Sequence, residues 1–235
     1  MTPERRASIA VDDMTDAQFD ALLPVSVRRV SRTYWTSAAV ARRAAQIMTH
    51  LRVRRALDIG SGPGKFCIIA AARAPGIEFV GIEHRPPLVA VAQSLAAELG
   101  LANVSFSVGD ATRTAWTDFD AFYCYNSFAE NDFAPDNQYD GTVELSRARH
   151  IGEVKRVARR LTVAPAGSVV LTYHGLSGPI PASYELVHVE ALGGDWLRAW
   201  RKGVATASDK FWLEEGDTIS RWAADPSEEL GMESE

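Results

Sequence analysis

The sequence predicts a doubly wound α/β sheet, mostly parallel and closed by an antiparallel hairpin, on three observations. From Arg54 onward, short β-rich runs alternate with helical runs. One of the strands runs straight into three alternate glycines, and two late β-rich runs flank Leu192-Gly193-Gly194-Asp195. Strands that alternate with helices imply βαβ units, hence parallel strands covered on both faces. A Gly-Gly pair between β-rich runs is a hairpin signal.

Taken in order, residues 1–30 mix polar and apolar positions, and Phe19, Leu22 and Leu23 mark a short amphipathic helix that packs on or caps the domain. Tyr34-Trp35-Thr36 precedes an alanine-rich helical pattern, in which Thr36 suits an N-cap and Trp35 a staple against Val40. Strands are expected near 54–59, 77–83, 104–108, 119–125 and 167–174, with helices near 64–74, 87–99 and 142–161. Tyr184 to Ala191 and Trp196 to Arg201 form the arms of the hairpin. The chain divides into a helical extension (1–33), one domain (34–203) and an acidic tail (204–235).

Bulk numbers narrow the classes. With 235 residues and 46% hydrophobic content the chain can bury a core. No run reaches the roughly 18 apolar residues of a membrane span, and Met1 to Asp13 lacks the pattern of a secretory signal, so a cytoplasmic protein without a membrane partner is expected. Cys67 and Cys124 lie far apart in apolar runs without ligand spacing; they read as buried side chains, with no metal site. The net charge of −5 hides a tail with nine acids against Lys210 and Arg221, which leaves the remainder near neutral. That balance does not favour nucleic acid as a partner, although it leaves it open. Arg147, Arg149, Lys155, Arg156, Arg159 and Arg160 read as a solvated helix face. The tail's apolar cluster (Phe211, Trp212, Leu213, Ile219, Trp222) is expected to dock, and its last ten residues to be disordered.

The chemistry gathers at Asp58-Ile59-Gly60-Ser61-Gly62-Pro63-Gly64. Glycines at a strand-to-helix turn allow unusual backbone angles and let a ligand lie against bare main chain. The spacing differs from the G-x-G-x-x-G of dinucleotide sites, and a carboxylate at Asp58 repels pyrophosphate while it attracts an α-ammonium. Glu83, ending the next strand, is placed to accept from ribose hydroxyls, and Asp110, ending the third, from an exocyclic adenine amine. Each acid alone is an ordinary cap or turn residue; three in register with a glycine loop define a site.

With these residues the sequence resembles the class I S-adenosylmethionine methyltransferases over about residues 34–202. The resemblance implies a Rossmann-like sheet of seven strands, S-adenosylmethionine as cofactor and S-adenosylhomocysteine as product. It implies that Asp58, Gly60, Ser61, Gly62 and Gly64 hold the methionine part, Glu83 with His84 the ribose, and Asp110 with Ala111 the adenine. Thr36, in the segment ahead of the core, joins the cofactor contacts.

After the fourth strand, Asn126-Ser127-Phe128 resembles the Asn-containing motif of amino-group methyltransferases and of telomeric-silencing-type lysine methyltransferases, with Ser127 where proline is common. That likeness implies Asn126 and Phe128 as orienting residues and nitrogen, in a protein amine or a small molecule, as acceptor. Glu130, Asp132 and His174 are candidates to remove a proton. Competing readings are an aminopropyl-type transferase that uses a decarboxylated cofactor, and a cofactor-binding protein without catalysis. The oligomeric state is not legible.

Overall fold

The computed structural model describes residues 10–176 and 178–204. The expected docking and disorder of the acidic tail fall outside them. Three short helices lead in: α1 (Asp16–Asp20), α2 (Val25–Arg28) and α3 (Ser31–Tyr34). They are followed by α4 (Ala38–His50), β1 (Arg55–Ile59), α5 (Lys65–Arg73), β2 (Glu78–Glu83), α6 (Pro86–Glu98), β3 (Val104–Val108) and β4 (Ala121–Tyr125). The chain then forms α7 (Arg147–Val163), β5 (Val169–Tyr173), β6 (Tyr184–Leu192) and β7 (Asp195–Lys202).

The seven strands lie in the order β3-β2-β1-β4-β5-β7-β6. The first five are parallel, and β7 runs antiparallel to both β5 and β6. Strand order reverses between β1 and β4, which opens a crevice at their carboxyl ends, the place where open α/β sheets bind ligands. At the β6–β7 turn Gly193 and Gly194 both have positive φ, 65° and 97°, as a two-residue hairpin turn requires.

Two apolar layers cover the sheet. On one face α4, α5 and α6 pack with Phe66, Phe79 and Tyr123; on the other Trp116 and Phe122 meet Val154, Val157 and Leu161 of α7. Phe19 and Val27 of the lead-in helices, and Leu23 between them, are buried in the first layer, so this lead-in segment is packed onto the core. Lys65 fastens them: its buried ammonium, at the start of α5, contacts Asp16 (2.7 Å), Asp20 (2.8 Å) and the Ser31 hydroxyl (3.1 Å).

Local differences from expectation have physical causes. The seventh helix starts at Arg147 rather than near 142, because the Ser146 side chain accepts from the Arg149 N–H and caps it. The cap of α4 is Ser37, not Thr36; the Trp35 indole N–H donates to the Val27 carbonyl (3.1 Å), and a Cβ on Gly62 would meet its ring. The basic face of α7 is only partly solvated. Arg156 donates to the Thr112 hydroxyl (2.8 Å) and Arg160 to the Thr112 carbonyl (3.1 Å), tying the helix to the loop after β3. Cys67 and Cys124 are fully buried thiols. Among the described residues no helix is long and apolar enough to cross a membrane.

Candidate active site

At the carboxyl ends of β1, β2 and β3 the chain forms one wall of a cavity. Gly60 follows β1 with φ 78°, and its amide, with that of Ser61, donates to the Ile82 carbonyl (3.0 and 3.1 Å). Glu83 is buried at the end of β2. One carboxylate oxygen accepts from the Gly62 N–H (3.1 Å) and the other from the Arg85 N–H (2.9 Å). Each oxygen keeps further lone-pair capacity for a ligand hydroxyl. Beside it, His84 lines the cavity with a buried Nε2 that has no hydrogen-bond partner among the described residues. Asp110 caps the short turn Ala111–Arg113, accepting from the Thr112 N–H (2.9 Å) and hydroxyl (2.6 Å), while its second oxygen faces Arg113 (3.2 Å).

The opposite wall comes from the ends of β4 and β5. Tyr125 and Tyr173 are the last registered pair, so Asn126 and His174 stand side by side beyond the sheet. Both have left-handed backbones, φ 45° and 62°, a conformation that non-glycine residues hold only when their surroundings impose it. Ser127 is fixed by donating to the Ile59 carbonyl (2.5 Å), which ties the end of β4 to the end of β1.

A strap, residues 129–141, roofs the cavity. Its anchor is Arg85, buried at the N-cap of α6, which pairs with Glu130 (2.9 Å) and Asp140 (3.1 Å) and stacks over the Tyr139 ring (5.0 Å). Burial disfavours the Asp140 charge, but hydrogen bonds from Thr142 and the Arg85 guanidinium outweigh it and hold that carboxyl below its ordinary value. From the other side Tyr34 donates to the Asn137 carbonyl (2.5 Å) and packs edge-on against Phe133 and Tyr139.

Of the residues singled out from sequence, Gly60, Glu83, His84, Asp110, Ala111, Asn126, Phe128 and Glu130 line this cavity. Thr36, Asp58, Ser61, Gly62, Gly64 and His174 are not among its lining residues. Asp58 lies beneath the loop, where burial pushes its carboxyl up to about 7 against a lowering bond from the Cys67 thiol (3.3 Å). Thr36 pairs with the Tyr123 hydroxyl (3.1 Å) inside the core. Gly62 and Gly64 shape the loop: a Cβ on Gly62 would come within 2.6 Å of Trp35, and one on Gly64 within 2.7 Å of Phe106. Glu130 is not a free base, since Arg85 and the Tyr139 N–H (2.6 Å) hold its carboxylate. Asp132 is likewise held, by Arg147 (2.8 Å). Sequence reasoning misses Arg85, whose one signal is a cation at a helix N-terminus, where the dipole disfavours it unless acids compensate. It also misses Asp195, which reads from sequence only as a turn residue.

The carboxyl-edge crevice, the bare glycine loop and a buried acid at the end of β2 give a Rossmann-like domain that resembles the class I S-adenosylmethionine methyltransferases, and the residues present suit that cofactor. Glu83 has acceptor capacity for ribose hydroxyls, and the His84 Nε2 lacks a partner among the described residues. Residues 53–164 match the family model described as a methyltransferase domain. A demethylmenaquinone methyltransferase of Deinococcus radiodurans is 33% identical over 151 residues, 63% of this chain and 51% of that protein. A tRNA (guanine-N(7)-)-methyltransferase of a Synechococcus species is 50% identical over 50 residues, 21% of each chain. The chain spans about half the length of the demethylmenaquinone methyltransferases it matches. A methyltransferase from Geobacter sulfurreducens shares the fold, with TM-score 0.50 at 16% identity, covering 79% of this chain and 95% of that one.

Proposed function

We propose that the protein transfers a methyl group from S-adenosylmethionine to a small-molecule acceptor, with nitrogen as the first acceptor atom to test. The observation that carries this reading is the cavity itself, which joins Gly60, Glu83 and Asp110 on one wall to Asn126 and Phe128 on the other. When bound, the cofactor supplies an already activated methyl group, so positioning and exclusion of water do most of what the protein must do. Glu83 and His84 hold the ribose, Asp110 and Ala111 the adenine, and the glycine loop the amino-acid end. Asn126, held in a left-handed backbone at the end of β4, orients the acceptor, and Phe128 walls it. The strap and Tyr34 close the cavity over a compact acceptor better than over a protein or RNA surface.

Isothermal calorimetry tests the reading. S-adenosylhomocysteine is expected to bind, NAD not to bind, and Glu83→Ala to weaken binding at least about tenfold, the loss of two good hydrogen bonds. No binding of S-adenosylhomocysteine, or preference for NAD, overturns it. A screen of small amines, phenols and activated carbon acids then identifies the acceptor atom. The similarity to a demethylmenaquinone methyltransferase keeps carbon in that screen, and the shorter similarity to tRNA (guanine-N(7)-)-methyltransferases keeps RNA.

A further inference from the structure

The β6–β7 hairpin brings a second group to the acceptor side of the crevice. Tyr173, the last residue of β5, donates its hydroxyl to the Leu192 carbonyl (2.6 Å) and so pins the hairpin turn against the carboxyl end of the sheet. A Cβ on Gly193 would sit 3.0 Å from that hydroxyl, so the turn approaches it closely. Pinned there, Asp195 is the first residue of β7. One of its oxygens accepts from the Trp196 N–H (2.5 Å), and the other meets Nδ1 of His174. The imidazole lies edge-on to Tyr173 (4.4 Å between centroids) and to Tyr125 (5.3 Å), the aromatic residue that lines the cofactor cavity beside Asn126. Its side chain is 38% exposed; it is not itself a lining residue of the cavity, but it touches Tyr125, which is.

We propose that the His174–Asp195 pair is the proton acceptor for methyl transfer, and that the substrate is a protic nucleophile, an ammonium or a hydroxyl group, which reaches the crevice past Tyr125. The proposal rests on the methyltransferase reading above and adds where the proton goes. A carboxylate on Nδ1 fixes the tautomer with the hydrogen on that nitrogen and leaves the Nε2 lone pair to accept. In the transfer, Nε2 takes the proton of the acceptor's N–H or O–H, and the freed lone pair forms the bond to the methyl carbon. The carbon–sulfur bond breaks with its electron pair going to sulfur, and imidazolium forms beside the Asp195 carboxylate. Among the described residues, the groups that face the ring are Asp195 from β7 and the phenols of Tyr125 and Tyr173. Burial pushes both phenols up, so they stay neutral and the carboxylate is the charge His174 meets. The left-handed backbone at His174 is the strain that this placement imposes.

The test uses the full chain with S-adenosylhomocysteine bound and diethyl pyrocarbonate as a small electrophile, with the rate of carbethoxylation at His174 followed by mass spectrometry at about pH 7. His174 is expected to react in the wild-type protein, and Asp195→Asn to slow that reaction at least about threefold, because the carboxylate no longer fixes Nε2 as the nitrogen with the free lone pair. S-adenosylhomocysteine affinity is expected to stay within about twofold in Asp195→Asn and His174→Asn, since neither contacts the cofactor side. With an acceptor from the screen, His174→Asn is expected to slow transfer about a hundredfold. A His174 that does not react, or a rate that Asp195→Asn leaves unchanged, overturns the pair while the methyltransferase reading stands. Failure of the wild-type protein to bind S-adenosylhomocysteine overturns both.

Discussion

The two walls of the crevice are built in opposite ways. On the β1–β3 side the acids and the loop are held by neighbours in their own loop or on the adjoining strand: Glu83 by the Gly62 and Arg85 amides, Asp110 by Thr112, the Gly60 amide by Ile82. On the β4–β5 side the geometry comes from distant segments: Arg85 reaches Glu130 and Asp140, Tyr34 reaches Asn137, and Asp195 reaches His174. A wall of the first kind moves only with the sheet. One of the second kind is released by a single side chain, which is what a site must do to admit and discharge its ligands.

The rigid wall carries a cost that makes the first prediction. The carboxyl of Asp58 is raised from 3.8 to about 7 by burial, so the folded protein holds that proton more tightly than the unfolded chain. The contribution of this group to stability is therefore greatest below pH 3.8, falls as pH rises from 3.8 to 7, and is flat above; the full swing is about 4 kcal/mol. Asp58→Asn removes that slope. Urea unfolding at about pH 4, 5.5, 7 and 8 is expected to show the variant gaining on the wild-type protein up to about pH 7, and a pH-independent difference defeats the prediction. Next in size, Gly64→Ala forces an alanine into φ 83° with its Cβ 2.7 Å from Phe106 and 2.8 Å from Ala92. Strain and overpacking together cost about 3 kcal/mol. A fall of about 9 °C in melting temperature is expected for a chain of this size.

The same contrast decides how much is legible in the sequence. The glycine loop, Glu83 and Asp110 stand at strand ends and act on near neighbours, so spacing along the chain is enough to place the first two and the Asp110 turn. The hairpin is legible for the same reason, since Gly193-Gly194 is a local signal. The α4 cap shifts by one residue from its expected place because Thr36 and Ser37 both offer a hydroxyl, and only the core partner of Thr36, the Tyr123 hydroxyl, separates them. Glu130 and Asp132 look like candidate bases in the sequence because nothing near them in the chain shows that Arg85 and Arg147 bind them. Asp195 passes for a turn residue because its partner lies on another strand. Pairings across many residues leave no periodic trace, and only the fold reveals them.

The released wall makes the smaller predictions. Arg85→Ala strands the Glu130 carboxylate, whose side chain is 13% exposed, and frees Asp140, which is 30% exposed. Breaking a buried ion pair costs more, but this partial exposure limits the local loss to about 2 kcal/mol. Amide exchange across residues 129–141 is expected to accelerate about thirtyfold while β1, β2 and β3 keep their protection. Uniform loss across the sheet means that the two walls are one cooperative unit.

Tyr34→Phe is the finest probe of the same idea. The substitution keeps the ring against Trp35, Phe133 and Tyr139 and deletes only the hydroxyl that donates to the Asn137 carbonyl. A single hydrogen bond at an exposed site is worth about 1 kcal/mol. The expected result is about fivefold faster exchange confined to residues near Asn137, with S-adenosylhomocysteine released faster but bound with nearly the same affinity. A gate held by several independent links loosens in proportion to each one, whereas a structural brace does not. If Tyr34→Phe lowers global stability as much as Gly64→Ala, the strap belongs to the core and the contrast between the walls fails.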